Sequence, residues 1–200
     1  MQNISINQID ISDRRFCISY PVLDDELLLS VGKIGVIEPL IILARQPYTV
    51  VTGFKRLEAA LKLGFTAIPC ISVDMEGKNA LLAAIHSNLG RKMNIVEKAN
   101  CVDKMFIMGF PGETISGIMA MLSLEFHDRV VARMRTLANA DNKLKDFILK
   151  KNLSMQNIEA LLRFSPNERD IIVEILNTVH TTESMMREIG LGARPYLYVI

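Results

Sequence analysis

The chain has 200 residues, of which 50% are hydrophobic and 22% are charged, and its formal net charge is +1. This composition excludes an intrinsically disordered chain, and the length suffices to bury a core in one domain or in two small ones. The near-neutral charge excludes a strongly basic protein that wraps nucleic acid, although it is compatible with a local basic patch.

The cysteines and the hydropathy pattern bear on the cellular compartment. Cys17, Cys70 and Cys101 are odd in number and form no Cys-x-x-Cys pair, which predicts buried, reduced thiols and argues against a zinc site or a disulfide framework. The first residues lack a signal-peptide pattern, and no apolar run reaches the roughly 20 residues that span a bilayer. We therefore expect a cytoplasmic protein without a membrane partner.

The first 75 residues mix strand and helix patterns. Isoleucines at 4, 6, 9 and 11 predict an opening strand that ends near residue 12, and Asp24 or Asp25 is the expected cap of a helix that ends near Gly32. The pattern then predicts paired strands at 40–43 and 49–51, a helix that ends at 63, and a further strand at 68–74. Pro69 predicts that the last of these strands begins there or lies at a sheet edge.

From residue 78 onward the hydrophobic periodicity is helical. The predicted helices cover 78–87, 95–108, 114–122, 125–138, 142–150, 155–163, 167–178 and 182–189. Candidate capping residues precede several of them: Ser123, Asp141, Ser154, and Ser165 followed by Pro166. The pattern therefore predicts an α+β fold, with a mixed α/β domain at 1–92, an all-helical domain at 93–190 and a C-terminal tail at 191–200.

A glycine turn within the α/β part has the properties of an anion site. The apolar strand that ends at residue 52 turns at Gly53 into a basic helix, whose first-turn N–H groups attract negative charge. Lys55 and Arg56 add side-chain donors suited to phosphate. The alternative is an ordinary strand-to-helix turn with surface cations.

About thirty residues later, Asn88 and Arg91 offer a second group of polar donors. Together with the glycine turn they predict a phosphate pocket, because one pocket explains the polar residues of both segments. Two structural alternatives stay open. Arg91 can pair with Glu97 or Asp74, and Asn88 can cap the end of its own helix.

The order of these segments resembles the ParB family of chromosome and plasmid partition proteins. The run GVIEPL at 35–40 resembles the family's Gly-x-x-x-Pro turn, and GFKRLEA at 53–59 resembles its Gly-Glu-Arg-Arg-x-x-Ala box. The run SNLGRKMNIVEKA at 87–99 is similar to the family's Glu-Asn-x-x-Arg-x-x-Leu-x-x-x-Glu-x-Ala segment, and 153–166 resembles the segment after its helix-turn-helix. The resemblance covers roughly residues 4–178.

This resemblance implies a ParB/sulfiredoxin-like nucleotide-binding domain followed by a helical DNA-binding domain. In the family, CTP with magnesium is slowly hydrolysed and switches the protein into a clamp on DNA. Carried over to this chain, the resemblance puts Gly53, Lys55 and Arg56 on the phosphates. Asn88, near the metal, and Arg91 would complete the pocket. Gly35 and the residues up to 39 would lie near the base.

Two departures from the family pattern limit what the resemblance implies. Phe54 and Ser87 replace the acidic residues of the two boxes. Magnesium prefers carboxylate oxygens and its own waters, so the loss of both acids predicts that metal-dependent hydrolysis is weak or lost. Phe54 also stands where sulfiredoxin needs a reactive cysteine, which argues against that activity.

A candidate helix-turn-helix covers about 113–138. Its two predicted buried stripes are Ile115, Ile118, Met119 and Leu122, then Val130, Met134 and Leu137. The predicted DNA-binding residues are Arg129, Arg133, Arg135, Thr136, Lys143 and Lys145. The turn lacks the expected glycine, and Glu125 and Asp128 put negative charge at the start of the second helix, so the alternative is an ordinary solvated helix.

These patterns favour a ParB-like DNA-binding protein in DNA partition or transcriptional regulation. Its partners would be DNA, a nucleotide such as CTP and a second copy in a homodimer, with bound nucleotide favouring one arrangement of the two domains. Two other classes stay open: a ParB-fold enzyme (a nucleotide hydrolase, small-molecule kinase or nuclease), and a non-catalytic adaptor whose helical half binds protein.

Overall fold

The computed structural model describes residues 1–23 and 25–178. The chain separates into two compact units, one from Met1 to Phe126 and one that begins at His127. The boundary expected near residue 92 stays a prediction. Three expectations lie outside the described residues: Asp24 as a helix cap, a helix at 182–189, and the tail at 191–200.

The first unit is a mixed α/β structure. Its elements are β1 (Gln2–Ser5), a short 3-10 helix (Ile6–Gln8), α1 (Asp25–Ile34), β2 (Leu40–Leu43), β3 (Val50–Thr52), α2 (Phe54–Lys62), β4 (Ala67–Val73), α3 (Gly77–Leu89), α4 (Ile95–Ile107) and α5 (Gly112–Met121). Helix α1 packs on α2, and α3 packs against β3. The α+β prediction is confirmed.

The described strands form one four-stranded sheet in the order β1-β4-β2-β3. Strand β2 pairs antiparallel with β3, as expected, and parallel with β4. The long opening strand was wrong: β1 ends at Ser5, and the chain turns through the 3-10 helix before Ile9 makes an isolated bridge to Tyr48. Alternating isoleucines cannot reveal that break, because a 3-10 turn also buries Ile6.

Of the two positions that Pro69 indicated, the structure shows the one near the start of a strand and not the one at a sheet edge. Strand β4 lies inside the sheet, between β1 and β2. Pro69 is its third residue and stands opposite Asn3 of β1. The neighbouring Ile68 and Cys70 are fully buried, so burial of their side chains places this strand in the interior despite the proline.

The second unit, as far as it is described, is helical. It contains α6 (Asp128–Ala138), α7 (Asn142–Lys150), α8 (Met155–Leu162) and α9 (Pro166–Thr178), in which α6 packs against α8 and α7 against α9. Asp141 and Ser154 cap α7 and α8 through their side chains, as predicted. Ser123 caps no helix among those described, because His127 is the N-cap of α6 and Ser123 has a positive φ of 56° after α5.

The three cysteines are free and buried, as the spacing predicted. Burial raises the pKa of Cys70 to about 11 and that of Cys101 to about 12. In the part of the chain that the structure describes, no helix has both the length and the apolar character needed to cross a bilayer.

Candidate functional site

The glycine turn joins a buried strand to an uncapped helix. Residues 50–52 are buried, and Gly53 follows with φ 99° and ψ 19°, in the left-handed region. A Cβ at this position would lie 2.9 Å from Leu40 Cγ, so both the backbone angle and the space require glycine. Gly53, the N-cap of α2, has no side chain that could cap this helix, and the N–H groups at the start of a helix attract anions.

Arg56 connects this helix to the loop that precedes β2. Its Nη1 group donates to the carbonyl oxygens of Glu38 at 2.7 Å and Pro39 at 2.9 Å, and it lies 3.1 Å from Glu38 Oε2. Partial burial lowers the pKa of Arg56 and the charge of Glu38 opposes this shift, while a guanidinium stays ionised in proteins. Arg56 therefore holds the Gly-x-x-x-Pro loop beside the start of α2.

Arg91 is paired with a buried carboxylate. Its Nη1 and Nη2 groups donate to the two carboxylate oxygens of Glu97 at 2.8 and 2.6 Å, and only 1% of the Glu97 side chain is exposed. These hydrogen bonds raise the pKa of Arg91. Of the two ion-pair partners considered, the structure shows Glu97.

Asn88 lies next to this pair. Its Oδ1 accepts a hydrogen bond from Arg91 Nε at 2.9 Å, and its Nδ2 donates to the Ala84 carbonyl at 2.8 Å. Glu97 in turn forms a capping box with Asn94 at the start of α4. Asn88 and Arg91 thus bridge the end of α3 and the beginning of α4.

The structure brings the predicted nucleotide-site residues together. One cleft of about 630 Å³ in the first unit is lined by Gly35, Gly53, Lys55, Arg56, Asn88 and Arg91. Its volume is within the roughly 300–1,000 Å³ typical of small-molecule sites. The polar side is therefore the one that the sequence pointed to, and the binding roles of these residues stay predictions.

An apolar wall, which sequence reasoning missed, faces the same cleft. Phe16 and Ile18 come from the irregular segment after the 3-10 helix, and Leu27 and Val31 come from α1. Asn100 and Lys104 of α4 hold the irregular segment by donating to the carbonyl oxygens of residues 18 and 14, at 3.0 and 2.8 Å. No local pattern marks this segment, because its position depends on a helix some eighty residues away.

The described oxygen donors of the cleft are engaged within the protein. Asn88 Oδ1 already accepts from Arg91, Ser87 Oγ donates to the Ala84 carbonyl at 2.9 Å, and Glu38 pairs with Arg56. Phe54, at one of the acidic positions of the family pattern, is only 4% exposed. Within residues 1–23 and 25–178, no group of three His, Cys, Asp or Glu side chains could hold a metal. The magnesium role expected for Asn88 stays a prediction.

In the second unit, the predicted DNA-binding residues differ in accessibility. Lys145 is 8% exposed, and its Nζ donates to the Ala138 carbonyl at the C-terminus of α6 at 2.7 Å, so its DNA-binding role stays a prediction. Thr136 is exposed and donates to the Ala132 carbonyl, and Lys143 lies 3.5 Å from Asp170.

The arginines among these residues lie on α6. Arg129 is 65% exposed, Arg133 is 24% exposed, and Arg135 has intermediate exposure. Of the predicted DNA-binding set, the residues that reach the surface at least in part are therefore Arg129, Arg133, Arg135, Thr136 and Lys143.

Both helices of the candidate helix-turn-helix exist, as α5 and α6. Their predicted apolar stripes are buried except Val130, which has intermediate exposure. The two helices belong to different compact units, so their mutual arrangement as a helix-turn-helix stays a prediction.

Comparison with known proteins matches the first part of the chain to a known domain family. Residues 1–89 match the ParB N-terminal domain family. The glycine turn and all of the cleft lining except Arg91 lie within these matched residues.

Among relatives, the nucleoid occlusion protein of Bacillus cereus (strain B4264) is 22% identical over 172 residues, which cover 82% of this chain and 58% of that protein. The probable chromosome-partitioning protein ParB of Vibrio cholerae is 27% identical over 84 residues, covering 40% of this chain and 29% of that protein. The chain thus spans less than two thirds of the length of these curated relatives.

Similar solved structures include two of the C-terminally truncated chromosome-partitioning protein ParB from Caulobacter crescentus. The complex with CTP-gamma-S has a TM-score of 0.36 and 17% identity, covering 87% of this chain and 97% of that one. The complex with the centromeric parS site has a TM-score of 0.44 and 14% identity, covering 96% and 99%.

Proposed function

We propose that this chain is a nucleotide-responsive DNA-binding protein. The cleft of its ParB N-terminal domain would bind a nucleoside triphosphate such as CTP, and its helical segment would bind DNA. One observation supports the nucleotide part: the six residues expected at a nucleotide site line a single cleft, and five of them lie within the residues that match the ParB N-terminal domain.

The cleft offers separate surfaces for the two chemical parts of a nucleotide. The start of α2 supplies backbone N–H groups and the positive end of the helix dipole, and Lys55 and Arg56 add cationic side chains. The apolar side chains of α1 and of the irregular segment form a surface against which a base and ribose can pack.

Arg91 has a structural part in this proposal. Glu97 is almost fully buried, so drawing Arg91 onto a phosphate would leave an ionised carboxylate without its partner. The phosphates would therefore rely on Arg56, Lys55 and the α2 N–H groups, while Arg91 keeps α3 joined to α4. Because Phe54 and Ser87 replace both acidic residues of the family pattern, we propose binding without efficient hydrolysis.

The DNA part of the proposal rests on the second unit and on the relatives. Arg129, Arg133, Arg135 and Lys143 reach the surface at least in part. Such cations contact phosphates without reading sequence, and their binding weakens as salt rises. We propose that the protein acts on chromosomal or plasmid DNA in the cytoplasm, in partition, nucleoid occlusion or transcriptional regulation.

Thermal-shift measurements on the full chain test the nucleotide part. We expect CTP to raise the melting temperature, because a ligand that binds only the folded state stabilises it. Arg56→Ala should abolish the shift, and Arg56→Lys should restore part of it. Arg45→Ala, at an exposed arginine between β2 and β3, is the matched control and should respond like wild type. No shift with CTP, ATP, GTP or UTP would overturn this part.

Fluorescence anisotropy with a labelled DNA duplex tests the second part independently. We expect binding at low salt that weakens steeply as salt is added. A chain that binds no duplex at low salt would overturn DNA binding and would favour the adaptor alternative.

A further inference from the structure

Three arginines in the described part of the second unit meet on one carboxylate oxygen. The Nη2 groups of Arg129 and Arg133, both on α6, lie 2.7 Å from Glu159 Oε1. The Nη2 group of Arg163 lies 3.3 Å from the same oxygen. Glu159 belongs to α8, and Arg163 follows immediately after that helix.

This arginine cluster (Arg129, Arg133 and Arg163 around Glu159) carries more positive than negative charge. One carboxylate balances one guanidinium, so the four side chains together retain two positive charges. The pKa of Glu159 is lowered overall: partial burial raises it, but the hydrogen bonds from Arg163 and Arg129 and the charge of Arg133 outweigh that effect. The carboxylate therefore stays ionised. Guanidinium groups held this close repel one another, and a second anion would relieve that repulsion.

The cluster is also open to solvent on the side that an anion would approach. The side chains of Arg129 and Arg163 are 65% and 60% exposed, whereas that of Glu159 is only 19% exposed. The carboxylate therefore lies beneath the guanidinium groups and orients them. Planar guanidinium forks match the oxygens of a phosphate diester.

We propose that the arginine cluster is a phosphate-binding site whose ligand is the DNA backbone, with Glu159 as a positioning residue. This inference rests on the proposed DNA binding of the helical segment and identifies where a phosphate is held. It adds Arg163 and Glu159, neither of which the sequence singled out. The site is independent of base sequence, because a phosphate carries no sequence information.

The test compares salt dependence in the full chain. Anisotropy titrations of a labelled duplex with wild type and Arg163→Ala, at several salt concentrations, give the slope of log K against log salt. Loss of one phosphate contact should reduce the slope by about 0.9. Between about 50 and about 200 mM salt, the affinity loss should accordingly be roughly threefold smaller than for wild type.

Two further variants separate a phosphate contact from a structural ion pair. Arg163→Lys keeps the charge and should restore most of the wild-type slope. Arg45→Ala removes the same charge from an exposed turn of the first unit and should leave the slope unchanged. Circular dichroism should show the same helix content in all variants, because Arg163 is mostly exposed.

Three results would overturn the inference. A wild-type slope and affinity in Arg163→Ala would reject this site while leaving DNA binding intact. A wild-type chain that binds no duplex would reject the proposed DNA function together with the site. Pyrophosphate that stabilises wild type but not Arg163→Ala, with DNA affinity equal in the two proteins, would show that the cluster binds a free anion instead.

Discussion

Replacing Arg91 separates a ligand-binding arginine from a structural one. Glu97 is 1% exposed and receives two hydrogen bonds from the Arg91 guanidinium. Removing one partner of a buried ion pair leaves an uncompensated charge and typically costs about 3–5 kcal/mol. Glu97 keeps the backbone N–H groups of Asn94 and Tyr20 as donors, at 3.1 and 3.3 Å. We therefore expect Arg91→Ala to lower the free energy of unfolding by about 3 kcal/mol.

Urea unfolding followed by circular dichroism measures this loss, and a second variant shows its cause. Glu97→Gln removes the charge but keeps an oxygen that can accept from the N-cap backbone. The double variant Arg91→Ala/Glu97→Gln should therefore be more stable than Arg91→Ala alone, because it buries no unpaired carboxylate.

A small loss of stability together with a loss of CTP binding would contradict a structural role for Arg91. Suppose that Arg91→Ala loses less than about 1 kcal/mol, as ordinary surface substitutions do, and yet no longer binds CTP. Arg91 would then serve the ligand, and its bond to Glu97 would not be what holds α3 to α4.

Three further predictions follow from the geometry. Gly53→Ala should lower the free energy of unfolding by about 1–3 kcal/mol, and by more than Gly64→Ala. Of these two glycines, which both have positive φ, only Gly53 lies close to Leu40. Equal losses of stability in urea unfolding would contradict this reason. The affinity for CTP, measured by titration calorimetry, should differ by less than about threefold between buffers with EDTA and with magnesium, because the cleft offers poor ligands for the ion. An affinity about tenfold or more lower in EDTA would contradict this. Burial raises the pKa of Cys70 to about 11 and that of Cys101 to about 12, so both thiols stay protonated at pH about 8. Both should therefore resist iodoacetamide until the protein unfolds. Rapid labelling of these cysteines in the native protein, seen by mass spectrometry, would contradict this prediction.

Local sequence signals predicted the parts of the site that depend on neighbouring residues. The turn at Gly53 follows from an apolar strand, a glycine and a basic amphipathic helix within about fifteen residues. Side-chain caps at Asp141 and Ser154 are equally local, and both are present. In each case the physical cause acts within one or two turns of the backbone, so a single sequence reveals it.

The remainder depends on contacts between distant segments. The pattern allowed Arg91 to serve a ligand or Glu97, and only the burial of Glu97 identifies its partner in the fold. The sequence predicted Lys145 to be a surface cation, yet its aliphatic stem is buried and its ammonium donates to the Ala138 carbonyl at the end of α6. Glu159 of α8 pairs with two arginines of α6, a helix that is not adjacent to it in sequence, and with Arg163 just after α8. Hydrophobic periodicity carries no information about such pairings.

The central claim is that a nucleotide binds at the start of α2, and amide chemical shifts test it most directly. In a two-dimensional ¹H–¹⁵N NMR titration of the full chain with CTP, we expect the largest shifts at Gly53, Phe54, Lys55 and Arg56, whose N–H groups lie at or next to the first turn of the helix. Arg56→Ala should abolish these shifts and Arg45→Ala should preserve them. CTP that perturbs no amide of this turn, or that perturbs a different part of the chain, would contradict the proposed site.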